Sequence, residues 1–173
     1  MTALVSSGMT LMGIFLTNKA NNERLTLQLE NEKKIKQQKL MREKLEEIYL
    51  LSKKWAANID IFYLNNTRAM DGQIDFKTLL EIEINNKNNL DFSRLEMLIN
   101  LYFPVVKPAY DDVIKARGKA NEIMMNFRNQ CLQGNTDGKN LVAPFLAAQN
   151  KFSQETEKML KVITQEATKS NII

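Results

Sequence analysis

Several short runs in this chain bring together side chains that could do chemistry. Asp71-Gly72-Gln73-Ile74-Asp75-Phe76 has the spacing of the second half of a calcium-binding loop. The first, third and last ligand places of such a loop then fall on Thr67, Ala69 and Thr78. The bidentate Glu is missing, and too little charge remains to hold a calcium ion. The expectation here is a turn followed by a helix cap. Gly134-Asn-Thr-Asp-Gly138-Lys139-Asn140 has the flavour of a phosphate-binding loop. It is one residue short, lacks the Ser or Thr after the Lys, and follows no strand. The carboxylate pairs Glu46-Glu47, Glu81/Glu83 and Asp111-Asp112 sit among Lys and Arg, as solvated helix faces do. Cys131 is the single thiol, on an apolar helical stripe where a small core residue is expected.

The chain has no His, which removes most acid-base, triad and zinc chemistry. The expectation is therefore a non-enzyme with no catalytic, cofactor-binding or metal-binding residues and no small-molecule substrate. With 173 residues, 44% of them hydrophobic, the chain is long enough for one real core. A single Cys excludes a disulfide-stapled scaffold.

Charge is uneven. The net charge of +4 is carried by residues 18–54, which include Lys33, Lys34, Lys36, Lys39, Arg42 and Lys44, while residues 55–173 carry 14 charges of each sign. No aromatic residue interleaves the basic run before Tyr49, so nucleic acid is not an expected partner.

Residues 1–17, MTALVSSGMTLMGIFLT, hold no charged side chain. As a helix they span roughly 26 Å, the short edge of what crosses a hydrocarbon core of about 30 Å. No positive n-region precedes the stretch, which argues against a signal peptide, and the basic flank after it places the body in the cytoplasm. The expected organisation is a membrane anchor helix at 1–17, a polar and basic helical stalk at 18–40 and a cytoplasmic helical bundle at 41–173. Asn18-Lys-Ala-Asn-Asn22 forms poor helix and is a candidate joint between anchor and body. The alternative is a soluble protein whose N-terminal helix packs into its own core or a partner. On a straight helix Lys33 stands roughly 24 Å beyond Thr17, about three Debye lengths from anionic headgroups.

Met41, Leu45, Ile48, Ser52, Trp55, Ile59 and Phe62 step by fours and threes, a coiled-coil-like heptad seam with one polar member. Tyr49, Leu51 and Tyr63 widen it into the stripe of a bundle helix. Asp71-Gly72 marks a turn, and Asp75 reads as the N-cap of a short helix over 76–84. Residues 85–89 break it, and Asp91 caps a second short helix over 92–103 that ends at Pro104. A long helix then runs to Gln133, with Val113, Ala116, Ala120, Ile123, Met124, Phe127 and Cys131 inward and Gly134 as its C′ residue. The last helix starts near Leu141 and shows Phe145, Ala148, Phe152, Met159, Ile163 and Ala167. The fold class is all-α: an N-terminal helix, read as transmembrane, then a long-helix up-and-down bundle. Tyr102, Phe103 and Tyr110 around the prolines are a candidate docking groove.

The organisation resembles that of bacterial proteins with one N-terminal anchor and a helical cytoplasmic domain, on the segments Glu43-Lys-Leu-Glu-Glu-Ile-Tyr49 and Leu98-Ile-Asn-Leu-Tyr-Phe-Pro104. The resemblance assigns no functional residue; the expected role is a scaffold or regulatory module, with the membrane as partner through residues 1–17 and a protein partner or self-association through helices.

Overall fold

The computed structural model describes residues 2–86 and 92–169, with side chains described from residue 15 onward. The described residues form five α-helices: α1 (Thr2–Met70), α2 (Phe76–Asn85), α3 (Phe92–Tyr102), α4 (Lys107–Leu132) and α5 (Lys139–Lys169). A 3-10 turn, Pro104–Val106, joins α3 to α4, and no strand occurs among the described residues. By contacts the chain divides into Met1–Met41 and Arg42–Ile173.

The described residues of the first unit, 2–41, all belong to α1. Residues 18–22, a candidate joint, are helical, and Thr26 Oγ1 donates to the Asn22 carbonyl at 2.9 Å. Leu25, Leu27, Leu29 and Ile35 are exposed, so this stretch buries no stripe. Helix-forming residues and the i,i+4 spacings of Glu30 with Lys34 and Glu32 with Lys36 favour the helix locally. Among the described residues no helix is long and apolar enough to cross a membrane. Of the expected anchor at 1–17, Met1 lies outside the described residues, and so do the side chains of residues 2–14.

In the second unit the bundle has four legs. α1 leads down to a Schellman end at Met70, where Gln73 N–H donates to the Arg68 carbonyl at 2.8 Å and Gly72 takes φ +76°. α2 and α3 together make the return leg. Glu83 of α2 binds Asn66 near the bottom of α1, and Arg94 of α3 reaches Glu47 near the top. α4 descends again, since Trp55 meets Tyr110, Tyr63 meets Asn121, and Asn66 meets Arg128. α5 rises antiparallel to α1: Tyr63 meets Phe145 and Trp55 meets Phe152.

The seam on α1 holds at Leu45, Ile48, Ser52 and Trp55, which are all buried. It then drifts. Ile59 and Phe62 are only half-buried, and Tyr63, Asn66 and Met70 take the inward places. A straight helix has about 3.6 residues per turn and slips some 20° per heptad against a 3.5 repeat. α5 keeps its predicted face, with Phe145, Phe152, Thr156, Met159 and Ile163 buried. It starts two residues earlier than expected, and Pro144 lies inside it. Counting from the Trp55–Phe152 contact puts Ser52 and Thr156 in one layer, and both hydroxyls are buried without a hydrogen-bond partner. Such a layer weakens the seam by about 1–3 kcal/mol per hydroxyl.

The remaining caps follow the sequence. Asp75 Oδ1 accepts from Thr78 N–H at 2.6 Å. Gly134 takes φ +87°, and Asn135 N–H donates to the Gln130 carbonyl at 2.9 Å. The expected Asp91 cap, and residues 87–89 of the expected break, lie outside the described residues. Gly138 answers to packing: a Cβ there would stand 2.6 Å from the Phe127 ring and 2.9 Å from Met70 Cα.

Two predictions follow from this core. Trp55→Ala removes a ring packed at 5.5 Å on Phe92 and 5.6 Å on Phe152, and denaturant titration should show a loss of about 3–5 kcal/mol. Full stability in that variant would contradict the seam. Gly138→Ala should destabilise by about 1–3 kcal/mol through overpacking. Gly118→Ala meets nothing within 4 Å and should stabilise α4 by about 0.5–1 kcal/mol. Equal melting temperatures for the two variants would refute the close approach at Gly138.

Candidate functional site: the ion pairs and grooves of the bundle

The carboxylates singled out in the sequence do not converge. Glu46 pairs with Arg42 at 3.0 Å, and Asp111 pairs with Lys107 at 2.6 Å. Glu81 stands 3.9 Å from Lys77. Glu47 accepts from Arg94 Nε at 2.5 Å, from Arg94 Nη2 at 2.9 Å and from Lys44 at 2.9 Å, which ties α3 to α1. Those hydrogen bonds, Arg94 first, pull its carboxyl down to about 2. Glu83 accepts from Arg128 and from Asn66 Nδ2, and Arg128 lies 5.6 Å over the Phe62 ring. This clip joins α1, α2 and α4.

The calcium-like run 71–76 is a helix end plus a cap, as its ligand gaps implied. Among the described residues no group of three or more His, Cys, Asp or Glu could hold a metal ion. Cys131 is buried, and burial pushes its thiol above the ordinary range, away from the thiolate a nucleophile needs. The run 134–140 joins two helices. Asp137 Oδ1 accepts from Lys139 N–H there, so the loop caps α5 from within. At the candidate docking groove by the prolines, Phe103 and Tyr110 pack inward, as such aromatics usually do. Phe103, Val106 and Tyr110 are buried, and the Tyr110 hydroxyl donates to Glu96 at 3.0 Å.

Tyr63 has a hydroxyl 3.2 Å from Asn121 Oδ1, and burial raises it to about 12. Arg117 lies 5.9 Å from the Trp55 and Phe92 ring centroids, which gives this half-buried cation a π-face in place of water. These groups are built into the helix contacts.

Two of the larger open features on the bundle are grooves between helices. One is a groove of about 410 Å³ between α1 and α5, with Leu45, Tyr49, Ile163 and Ala167 on its walls and Arg42 and Glu46 at its rim. The other is a groove of about 450 Å³ between α4 and α5, lined by Asp112, Lys115, Ala116, Lys119, Lys151, Glu155 and Lys158. Glu155 is its anchor. Its side chain is only 8% exposed, and one oxygen accepts both Lys151 at 2.7 Å and Lys158 at 2.9 Å. Hydrogen bonds from Lys151 and then Lys158 lower the Glu155 pKa, and Glu155 raises that of Lys151. Sequence reading missed this groove because its two walls belong to separate helices. The local signals were the i,i+4 pair Lys115/Lys119 on α4 and the Lys151/Glu155/Lys158 spacing on α5. Comparison with protein-family models, with curated proteins and with solved structures gives no match.

Glu47 sets a pH test. Its pKa is lowered in the folded state, so its contribution is present above the ordinary value of 4.5 and is lost as pH falls towards about 2. Glu47→Gln should lower stability at pH 7 by about 1 kcal/mol, since the pair still sees solvent. The gap from the parent should close as pH falls through that window. A gap independent of pH would mean that Glu47 acts by packing alone.

Proposed function

We propose that the chain is a non-catalytic helical module that binds a protein partner while tethered to a membrane. Residues 1–17 form a single-pass anchor, and the bundle stands on the cytoplasmic side. The observation that carries this reading is α1 itself, one helix from Thr2 to Met70. It begins in a segment without charge and continues through a basic stretch with no buried stripe. Its last part then supplies the core seam. A helix that exposes Leu25, Leu29 and Ile35 adds nothing to the core, and it suits a spacer between a surface and a body. The positive flank supports the orientation. The partner-binding half rests on the disposition of the ionisable groups. Each carboxylate pair highlighted in the sequence contributes side chains to helix-surface or interhelical ion pairs, and grooves between the bundle's helices stand open to solvent.

A second reading is a soluble helical adaptor or inhibitor whose N-terminal segment packs into its own core or a partner. The lack of a sufficiently long apolar helix among the described residues favours it. Fractionation separates the two. The full chain should sediment with membranes and resist carbonate extraction, and a chain beginning at Lys19 should not. A full chain that stays in the soluble fraction would overturn the tether and leave the adaptor.

A further inference from the structure

We infer that the groove between α4 and α5 is a docking surface for an acidic segment of a partner protein. The inference rests on the partner-binding half of the proposed function. Residues 55–173 are electrically neutral, yet this groove gathers four lysines against two carboxylates. Lys151 and Lys158 converge on the buried Glu155 from one turn before and one turn after it. The carboxylate fixes both ammonium groups beside the groove, although each lysine remains more than half exposed. On the facing wall Lys115 and Lys119 are exposed and form no ion pair among the described residues. Asp112, three residues before Lys115, lines the same groove, and the lining as a whole keeps an excess of two positive charges.

The chemistry of the groove selects the partner. Lysines are strongly hydrated point charges that pair with an anion by charge and without the fork geometry of Arg. No aromatic side chain lines the groove, so unpaired bases would find no stacking platform. Asp112 repels a continuous polyanion but can accept an N–H, which a peptide supplies. The spacing fits as well. Lys115 and Lys119 are one helical turn apart, about 5–6 Å between Cβ atoms. Alternate carboxylates on an extended strand repeat at about 6.6 Å. Steering by this charge should give fast, salt-sensitive association.

The probe is a fluorescein-labelled peptide of alternating Glu and Ala, titrated by anisotropy against the full chain in non-ionic detergent. Binding should be present at low salt and weaken near physiological salt, where the Debye length is about 8 Å. Lys115→Gln with Lys119→Gln should weaken it about tenfold, the effect of two rim charges. The melting temperature of that double variant should hold, because both lysines are exposed, so misfolding cannot mimic the loss. Lys33→Gln, Lys34→Gln and Lys36→Gln together should leave the affinity unchanged. The inference is overturned if the parent does not bind the peptide at low salt, or if the stalk substitutions abolish binding while the groove substitutions spare it. It is also overturned if an oligothymidylate displaces the peptide from the groove and binds more tightly. Membrane association is read separately by fractionation, so the tether and the groove can fail independently.

Discussion

Phe152 reaches from the last helix to two rings of the first, and the bundle depends on that contact. Its ring lies edge-on to Trp55 at 5.6 Å and to Tyr63 at 5.9 Å, with Phe145 adding a second edge contact to Tyr63 at 5.4 Å. Edge-to-face pairs add about 0.5–1.5 kcal/mol each beyond the area they bury. More important here is what they fix. They set the register of α5 against α1, and that register decides which residues share each layer. Leu45 and Ile163 then line one end of the seam, and the orphaned hydroxyls of Ser52 and Thr156 fall in its middle.

The same constraint positions the outer surface. With its core stripe turned to α1, α5 presents Lys151, Glu155 and Lys158 along its edge with α4. Tyr63 binds the α4 residues Arg117 and Asn121 through its hydroxyl, which holds α4 beside the same cluster. The lysine groove is thus a consequence of how the core closes. The Arg94–Glu47 pair pins the return leg to α1 near one end, and near the other Glu83 holds it to α4 through Arg128 and to α1 through Asn66. They act as clips on a core that the aromatic residues have already ordered.

Much of this fold is legible in the sequence, and the reasons differ by element. Asp75, Gly72 and Gly134 were readable because a cap or a positive φ is a local demand that few residue types meet. The face of α5 was readable because its buried positions follow one short period. The drift on α1 was not. A strict heptad and a straight helix agree over two turns and part over seven, so Tyr63 and Asn66 replaced Ile59 and Phe62. Gly138 offered no positive-φ signal, since its constraint is a Phe127 ring from another helix. Glu83 read as a surface charge because its partner Arg128 comes from another helix, and Glu155 drew no reading because its burial comes from tertiary packing while its lysines are ordinary helix neighbours.

Hydrogen exchange on the full chain tests the central claim most directly. If the Trp55–Phe152–Tyr63 cluster closes the bundle, amides of residues 45–70 and 145–163 should open together, at a free energy near that of global unfolding. Residues 18–40 bury no side chains, and their amides should exchange much faster. Fast, independent exchange of residues 145–163 while 45–70 stay protected would contradict the account, because α1 would then be ordered without the helix that is held to close it.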